Sequence, residues 1–437
     1  MADALKIGVA GLGTVGASLV RIIHDRQESL AVSCGRAIEI TAVSARNRDK
    51  DRGLDLSGVT WFDDPVTMAK NADIDVLVEL IGGAEGAARA AVEAALERGL
   101  HVVTANKALL AESGVELAAA AEEKGLLLNF EAAVAGGIPV IKAMRESLTG
   151  NTISRVYGIM NGTCNYILTR MEKEGLSFED CLKEAQRLGY AEADPTFDIE
   201  GNDTAHKLAI MTALAFGCEI SCDDIYLEGI SNITQEDIRA ASELGYRIKL
   251  LGVAQRTEGG IEQRVHPTMV PHDTVIAQVD GVTNAVAIES DILGDLLMVG
   301  PGAGGDATAS AVLGDVADIA KSRPGTQTVA ALGRPAKSLE PYRRARMRSH
   351  EGGYFIRLRV ADRIGVIAAI ARRMADNQIS LESIVQHSTN GSDEAPTKTI
   401  IMVTHATTEL SVRNAVSSME SDGYIVGKPQ VIRIEKP

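Results

Sequence analysis

The chain has 437 residues, a hydrophobic fraction of 45% and a formal net charge of −15. This length exceeds one ordinary hydrophobic core, so we expect two or three domains. The negative charge disfavours binding to nucleic acid or to an anionic membrane surface, and no apolar run reaches the roughly 18 residues of a membrane span. Small molecules and other protein chains are therefore the expected partners.

The five cysteines are scattered along the chain without C-x-x-C or Cys/His metal-ligand spacing. The first residues, "MADALKIGVAGLG", run directly into a strand and a glycine turn, which leaves no room for a signal peptide. Dispersed cysteines in a chain without an export signal indicate reduced thiols. We expect a cytoplasmic protein.

The N-terminal part of the chain alternates apolar strands with helices. The strand "LKIGVA" (5–10) leads into "GLGTVG" and an amphipathic run that ends near His24. Four further strand-like runs (37–45, 75–81, 101–105, 126–132) and two alanine-rich helical runs (84–98, 108–124) follow. This alternation predicts class α/β, with a Rossmann-like, doubly wound parallel sheet over residues 1–135.

The remainder of the chain divides into three parts. Residues 136–320 mix strands such as "ISRVYGIM" (153–160) with helices, which predicts an α+β domain. Residues 321–349 contain prolines, glycines and the basic cluster "RRARMR", a composition typical of a linker. Residues 350–437 show a βαββαβ order, which predicts a compact ferredoxin-like domain.

A glycine motif follows the first strand. Gly11, Gly13 and Gly16 form G-x-G-x-x-G between a strand and a helix. Such glycines permit a tight turn and close approach of a pyrophosphate, which then lies at the helix N-terminus. We expect these glycines, with Thr14 and Val15, to bind a dinucleotide cofactor; the alternative is a plain strand–helix turn.

The end of the second strand bears on which cofactor binds. NAD-preferring sites place an acidic residue there, whereas this chain has Arg46, Arg48 and Lys50 in "SARNRDK". Cations at this position suit a 2′-phosphate, so the sequence favours NADP, with NAD still possible. Alternatively these are exposed loop charges, a reading supported by the neighbouring Asp49 and Asp51.

Two lysines stand in positions that suit catalysis. Lys107, in "TANK", follows a strand at the carboxyl edge of the sheet, where ligands of open α/β folds bind. Lys207 ends the acidic stretch "YAEADPTFDIEGNDTAHK" and lies four residues after Asp203, so the two share a helix face. A surface lysine and an exposed ion pair are the alternatives.

Several segments together resemble homoserine dehydrogenase. They are the glycine motif, "ANK", "EAAVAGGIPVI", "GIMNGTCNYIL", "GYAEADPTFDIEGNDTAHK" and "GPGAGGDATASAV", in the family's order between residues 5 and 320. The final unit resembles an ACT regulatory domain, as in the monofunctional bacterial form. The resemblance implies NAD(P)H-dependent interconversion of L-aspartate 4-semialdehyde and L-homoserine, in threonine, methionine and isoleucine biosynthesis. It also makes residues 136–320 the catalytic and dimerisation domain.

The resemblance also assigns roles to the acidic stretch and the lysines. Glu192 and Asp198 are expected to bind the substrate's polar groups, since an amino-acid ammonium requires carboxylates. Lys207 matches the family's proton donor, which is the general base in reverse, and Asp203 would hold it in place. Lys107 matches a family residue near the nicotinamide and the substrate, and the sequence does not apportion proton transfer between the two lysines.

Two glycine-rich segments complete the expected site. "EAAVAGGIP" resembles the family segment whose main-chain carbonyls hold a structural monovalent cation such as sodium, which implies Glu131, Val134, Gly136 and Ile138 as ligands. Its alternative meaning is a glycine-rich connection between domains. "GPGAGG" would bring Gly304 close to the cofactor.

The ACT resemblance implies regulation and assembly. L-Threonine is the expected effector, bound near Gly365, and the chain is expected to form a homo-oligomer, a dimer or tetramer. An ACT pair used only for assembly is the alternative. For the whole chain, the alternatives are a non-catalytic amino-acid sensor and another ACT-bearing amino-acid dehydrogenase. A phosphorylating semialdehyde dehydrogenase would need a cysteine nucleophile, and no cysteine lies in a motif.

Overall fold

The computed structural model describes residues 3–322, 329–345, 351–388 and 397–435. Part of the predicted linker, including Pro324, Gly325 and the end of the basic cluster, lies outside the described residues. No helix in the described ranges is both long enough and apolar enough to cross a membrane.

The N-terminal unit is a six-stranded parallel sheet with the strand order β3-β2-β1-β4-β5-β6. Its strands are β1 (Leu5–Ala10), β2 (Ile38–Ser44), β3 (Thr60–Phe62), β4 (Val76–Glu79), β5 (His101–Thr104) and β6 (Leu128–Asn129). Its helices are α1 (Thr14–Asp25), α2 (Gln27–Cys34), α3 (Pro65–Asn71), α4 (Ala87–Arg98) and α5 (Lys107–Glu123). The strand order changes direction between β1 and β4, and the carboxyl ends of the parallel strands lie at one edge of the sheet, the usual ligand edge of this fold.

Local sequence explains several element boundaries in this unit. Asp64 caps α3 by accepting a 2.8 Å hydrogen bond from the Thr67 amide, and Pro65 follows at the first helical position. Strand β6 is shorter than the predicted run 126–132. The chain turns there into a 3₁₀ segment at residues 131–133, because the Glu131 carboxylate is engaged by the amides of Ile141 and Lys142.

The middle unit packs helices against an antiparallel sheet with the order β12-β11-β7-β9-β10. Its strands are β7 (Ile153–Ile159), β8 (Tyr226–Leu227), β9 (Tyr246–Thr257), β10 (Gly260–Pro271), β11 (Thr283–Ser290) and β12 (Gly294–Pro301). Its helices are α6 (Val140–Lys142), α7 (Gly162–Glu174), α8 (Phe178–Arg187), α9 (Thr196–Ile199), α10 (Asn202–Phe216), α11 (Gln235–Glu243) and α12 (Gly305–Lys321). A π-helical turn, Ala143–Ser147, follows α6. Helix α12 returns to the N-terminal unit, where Val312 and Val316 join the core around Leu19.

The C-terminal unit has the βαββαβ order that the sequence predicts. Its strands are β13 (Glu351–Ala361), β14 (Leu381–Ser388), β15 (Thr397–Thr404), β16 (Thr407–Thr408) and β17 (Gln430–Ile434), and its helices are α13 (Val366–Asp376) and α14 (Glu409–Ser421). Its four main strands run in the order β17-β13-β15-β14, so the ferredoxin-like topology and the predicted fold class are confirmed.

The middle and C-terminal units share one sheet. Strand β17 pairs in parallel with β10 through Thr268 with Arg433 and Met269 with Ile434, which gives an 11-stranded sheet over the described residues. Before β13, the described part of the predicted linker lies on the middle unit. There Glu340 exchanges main-chain hydrogen bonds with Gly217 and Glu219, and the Ala345 amide bonds to Ile261. The C-terminal unit is therefore continuous with the middle unit.

Candidate active site

A cleft of about 650 Å³ lies between the carboxyl edge of the parallel sheet and the middle unit. The N-terminal unit contributes the start of α1 and the β5–α5 turn. The middle unit contributes the start of α7, the acidic stretch before α10 and the turn before α12. The lining residues that the sequence predicts as site residues are Val15, Lys107, Gly136, Glu192, Asp198, Asp203, Lys207 and Gly304.

The glycine motif leaves the start of α1 open towards solvent. Gly11 has φ +106°, and a Cβ there would lie 2.6 Å from the Leu80 carbonyl oxygen. A Cβ at Gly16 would collide with the Gly11 carbonyl, whereas one at Gly13 would meet no atom within 4 Å. No side chain caps α1, so the amide groups of its first turn are available to an anion.

A second helix start faces the same cleft. Gly304, with φ +119°, precedes α12, which also has no side-chain cap. Gly305 packs against Thr14, where a Cβ would lie 3.0 Å from the Thr14 methyl group. Two helix N-termini therefore converge on the cleft, and both favour negative charge there.

The two predicted lysines meet on one carboxylate. Asp203 and Lys207, one turn apart on α10, form a 2.7 Å ion pair, and Lys107 at the start of α5 reaches the other oxygen of Asp203 at 3.2 Å. Lys207 also donates a 2.7 Å hydrogen bond to the main-chain carbonyl of Met160. Burial alone would raise the pKa of Asp203, but the ammonium groups of Lys207 and Lys107 outweigh it and lower that pKa to about 2.

Asn161 joins the acidic residues of the site, and sequence reasoning missed it. Its side-chain amide donates 2.8 Å hydrogen bonds to both Asp198 and Asp203, while its oxygen accepts one from the Cys164 amide and so caps α7. The signal available in the sequence was the asparagine of "MNGTC" immediately before a helix, a usual N-cap position. Asn161 therefore fixes the spacing of the two carboxylates.

The other carboxylates of the acidic stretch differ in environment. Glu192 is exposed at the cleft, whereas Asp198 is half-buried. Burial, and then the charge of Asp203, raise the pKa of Asp198. Outside the cleft lining, Asp194 accepts a hydrogen bond from the Thr196 amide and Glu200 accepts one from Ser231, so both stabilise the loop.

Three family models match the chain in the order of its units. They are described as the NAD binding domain of homoserine dehydrogenase (residues 11–131), homoserine dehydrogenase (139–317) and the ACT domain (354–422). The homoserine dehydrogenase of Neisseria gonorrhoeae is 43% identical over 433 residues, which cover 99% of this chain and 98% of that protein. The chain belongs to the homoserine dehydrogenase family.

Solved structures of the family agree with this assignment. A homoserine dehydrogenase from Thiobacillus denitrificans superposes with a TM-score of 0.92 at 45% identity, covering 99% of this chain and 98% of that one. A hyperthermophilic archaeal homoserine dehydrogenase in complex with NADPH superposes with a TM-score of 0.61 at 28% identity, covering 72% of this chain and 96% of that one. The activity is that of a homoserine dehydrogenase, an oxidoreductase of amino-acid biosynthesis with an NAD(P)-binding domain and an ACT domain.

The predicted basic cluster lies beyond β2, outside the cleft lining. Arg46, Arg48 and Lys50 are all exposed. Arg52, which sequence reasoning did not single out, organises the loop: its guanidinium bonds to the main-chain carbonyls of Leu12, Lys50 and Asn47. It thereby ties the basic loop to the glycine turn.

The segment resembling the family's cation site is buried. Ala135 and Gly136 both have positive φ, of 56° and 53°, which turns successive carbonyls in different directions. The hydrogen bonds of the described residues leave the carbonyls of Val134 and Gly136 without a donor, whereas those of Glu131 and Ile138 each accept one main-chain amide. Buried carbonyls without donors fit a bound cation. Among the described side chains there is no group of three His, Cys, Asp or Glu residues that could hold a metal.

Proposed function

We propose that the chain interconverts L-aspartate 4-semialdehyde and L-homoserine by hydride transfer, with NADP preferred over NAD and with Lys207 as the proton donor. The observation that carries this proposal is the meeting of Lys107 and Lys207 on the buried carboxylate of Asp203. Lys107 comes from the N-terminal unit and Lys207 from the helix that follows the acidic loop, and both line the cleft. A substrate bound by the acidic loop would place its aldehyde near both ammonium groups.

The cofactor, when bound, supplies or accepts the hydride. The open first turn of α1, with Gly11, Gly13, Thr14, Val15 and Gly16, would hold its pyrophosphate, and Gly304 would approach it from α12. Arg46 would pair with the 2′-phosphate of NADP. The archaeal relative solved with NADPH supports this cofactor for the family.

Reduction of an aldehyde leaves negative charge on its oxygen, which requires a proton donor within hydrogen-bond reach. The Lys207 ammonium has three N–H groups, of which two are directed at Asp203 and Met160, so one remains for the substrate oxygen. After transfer, the neutral amine is the base for the reverse reaction. The positive charge of Lys107 would stabilise the developing alkoxide beside it.

Substrate recognition would come from the acidic loop. Glu192 is exposed at the cleft, and Asp198 is held by Asn161, so both can accept hydrogen bonds from the substrate ammonium. Asp203 is already engaged by two lysines and Asn161, which leaves it a positioning role. The loop therefore separates substrate binding from the support of the proton donor.

A monovalent cation such as sodium would bind the carbonyls of Glu131, Val134, Gly136 and Ile138. The support is the pair of donor-free buried carbonyls in this segment. The cation would stabilise the turn that connects the parallel sheet to the middle unit. It takes no part in hydride transfer.

The ACT domain would bind L-threonine near Gly365, and the protein would act as a homodimer or homotetramer. Gly365 has φ +90° and precedes α13, and a Cβ there would enter open space. An amino-acid carboxylate suits such a helix N-terminus. Inhibition would require two states of the enzyme that threonine binds unequally.

The proposed reaction is tested by following NADPH absorbance with L-aspartate 4-semialdehyde. We expect oxidation of NADPH with this aldehyde, a higher kcat/KM for NADPH than for NADH, and formation of homoserine. Amino-acid binding without turnover would instead favour a non-catalytic sensor. Turnover only with a different amino-acid substrate would favour another ACT-bearing dehydrogenase.

A further inference from the structure

Arg52 lies where the basic loop after β2 (residues 46–51) rejoins the N-terminal unit. The residues of this loop are all exposed, so the core holds none of their side chains. Arg52 is half-buried, and its guanidinium carbon lies 5.6 Å from the centroid of the Trp61 ring on β3. Trp61 packs in turn against the core of the N-terminal unit. Arg52 therefore anchors a loop that is otherwise exposed.

The basic loop is folded around the Arg52 guanidinium. The side-chain oxygen of Asn47 accepts hydrogen bonds from the amides of Asp49 and Lys50, which closes a local turn. Arg52 donates 2.8 Å hydrogen bonds to the main-chain carbonyls of Asn47 and Lys50. Because a planar guanidinium presents its donors in a fixed geometry, these two bonds orient the loop relative to Arg52.

The third hydrogen bond of Arg52 reaches the glycine turn. Its Nε donates a 3.1 Å hydrogen bond to the Leu12 carbonyl, which belongs to the peptide between Leu12 and Gly13. That peptide is trans, so its carbonyl and the Gly13 N–H point in opposite directions. Gly13 is the N-cap residue of α1. The bond from Arg52 therefore fixes the direction of the Gly13 N–H at the open start of this helix.

The glycine itself does not hold that direction. Gly13 has no Cβ, and a Cβ added there would meet no atom within 4 Å, so no side-chain packing restrains the peptide. Among the described residues, Arg52 is the donor to the Leu12 carbonyl. An anion at a helix start is bound by N–H groups, so a carbonyl turned towards it would repel it. Arg52 thus favours the orientation of the turn that binds a pyrophosphate.

The positive charge of Arg52 is also available to an anion. Its three hydrogen bonds all go to neutral carbonyls, and no carboxylate of the described residues forms an ion pair with it. An uncompensated cation beside a helix start adds to the positive potential there. The surroundings of Arg52 therefore suit a site for a doubly phosphorylated cofactor.

We propose that Arg52 is a positioning residue of the cofactor site: it fixes the glycine turn for the pyrophosphate and holds the basic loop beside it for the 2′-phosphate of NADP. This role rests on the cofactor binding proposed above, and it gives to Arg52 the orientation of groups that the glycine motif and Arg46 supply. The first part concerns both cofactors, because NAD and NADP share the pyrophosphate. The second part concerns NADP alone.

Fluorescence titration of the full-length protein with NADPH and NADH, without substrate, tests this role. Arg52→Gln should raise the Kd for NADH by about threefold or more and the Kd for NADPH by about tenfold or more, because NADPH also loses a charged contact. Arg52→Lys keeps the charge but not the planar set of donors, so it should lose most of the same affinity. Arg98→Gln is the matched control, since Arg98 at the end of α4 also donates to a main-chain carbonyl, that of Ala69, and it should bind both cofactors normally.

A double-mutant cycle separates positioning from direct contact with the 2′-phosphate. If Arg52 acts by placing Arg46, the loss that is specific to NADPH is already complete in Arg46→Ala. The double variant Arg46→Ala/Arg52→Gln should then have the same ratio of the two Kd values as Arg46→Ala. Additive effects on that ratio would mean that Arg52 contacts the phosphate itself, and they would overturn the positioning role.

Kinetics and melting separate this role from a general loss of structure. Positioning of the cofactor predicts that the KM for NADPH rises more than kcat falls in Arg52→Gln, with a melting temperature near that of the wild type. Wild-type affinity for NADH in Arg52→Gln would overturn the proposal, as would wild-type affinity for both cofactors in Arg52→Lys. Equal binding of NADPH and NADH by the wild type would contradict the proposed NADP preference, while weaker NADH binding in Arg52→Gln would still support the role at the glycine turn.

Discussion

Arg264 of β10 donates a 2.6 Å hydrogen bond to the carboxylate of Glu435, the last described residue of the chain. Both residues are buried, and Arg155 of β7 donates a second 2.6 Å bond to the same carboxylate. Removing one partner of a buried ion pair leaves the other charge uncompensated. Glu435 is therefore part of the buried polar core of the middle unit.

Glu435→Gln should lower the free energy of unfolding by about 1.5 to 3 kcal/mol, because two buried guanidinium groups each lose a charged hydrogen-bond partner. Arg264 keeps Glu262 and Arg155 keeps Glu289 as a second carboxylate partner. Urea unfolding followed by circular dichroism measures the change. Glu93→Gln is the matched control, since Glu93 pairs with Arg89 at the surface, and it should have little effect. Equal midpoints for the two variants would contradict a stabilising role for Glu435.

The same carboxylate should make stability depend on pH. Burial alone would raise the pKa of Glu435, but Arg264 and Arg155 lower that pKa to about 2. The carboxylate of an unfolded chain has a pKa of about 4.3. The contribution of Glu435 is thus complete above about pH 5 and is lost as the pH falls towards 2. The difference in melting temperature between wild type and Glu435→Gln should shrink over that interval.

Lys207→Ala should lower kcat by about 100-fold or more, because the substrate oxygen loses its positioned proton donor. Cofactor affinity, measured by NADPH fluorescence titration, should stay near the wild-type value. Lys183→Ala, an exposed lysine on α8, is the control for the removal of charge. Near-normal turnover in Lys207→Ala would transfer the proton-donor role to Lys107.

Arg46→Ala should weaken NADP binding by about 10-fold or more and leave NAD binding almost unchanged. The reason is that only NADP offers a 2′-phosphate to the guanidinium. Fluorescence titration with both reduced cofactors measures the difference. Arg239→Ala, an exposed arginine on α11, serves as the control. Equal losses for the two cofactors would show that Arg46 does not read the 2′-phosphate.

Sodium should stabilise the folded protein if it binds the carbonyls of Val134 and Gly136. At a concentration of 100 times its dissociation constant, a ligand of the native state adds about 2.7 kcal/mol. Melting temperatures in sodium chloride and in tetramethylammonium chloride at equal ionic strength should therefore differ, with sodium higher. Gly136→Ala should abolish that difference, because its Cβ would overlap the Gly302 carbonyl. Identical melting in the two salts would argue against the site.

Truncation near Ser349 should weaken inhibition by L-threonine, since it removes the ACT domain. It also removes Glu435 and Arg357, the latter paired at 2.6 Å with the buried Asp237, so the truncated protein should be less stable. Inhibition curves for the full-length and truncated enzymes measure the regulatory effect. Gly365→Ala in the full-length chain is the companion variant, because it keeps both ion pairs. Unchanged curves in both variants would place threonine inhibition, if any, outside the ACT domain.

The sequence by itself determined the local features of this protein. The G-x-G-x-x-G motif identified the open helix start, and the four-residue spacing of Asp203 and Lys207 predicted their ion pair. The βαββαβ order of the final unit was also readable. These features depend on the periods of helices and strands, which relate residues close in the chain.

The pairing of strands that are distant in the chain could not be predicted from the periodicity of helices and strands. In the middle region, β7 was the one strand specified from the sequence, and β9 and β10 were not predicted. Both of these strands are buried along nearly their whole length, and they include the buried cations Arg247, Lys249 and Arg264. Continuous burial removes the alternation of polar and apolar residues by which strands are recognised. The strand pairing of β10 with β17 likewise left no local signal.

Only the tertiary structure decided which side chains share the active site. Lys107 reaches Asp203 because α5 and α10 pack together, and Asn161 bridges Asp198 and Asp203 because β7 ends beside them. The position of Lys107 after a strand, together with the family resemblance, predicted that it lies at the ligand edge, but no spacing in the chain related it to Asp203. Such contacts depend on how the buried surfaces of distant helices and strands pack together. That packing leaves no short-range pattern in the sequence from which the contacts could be predicted.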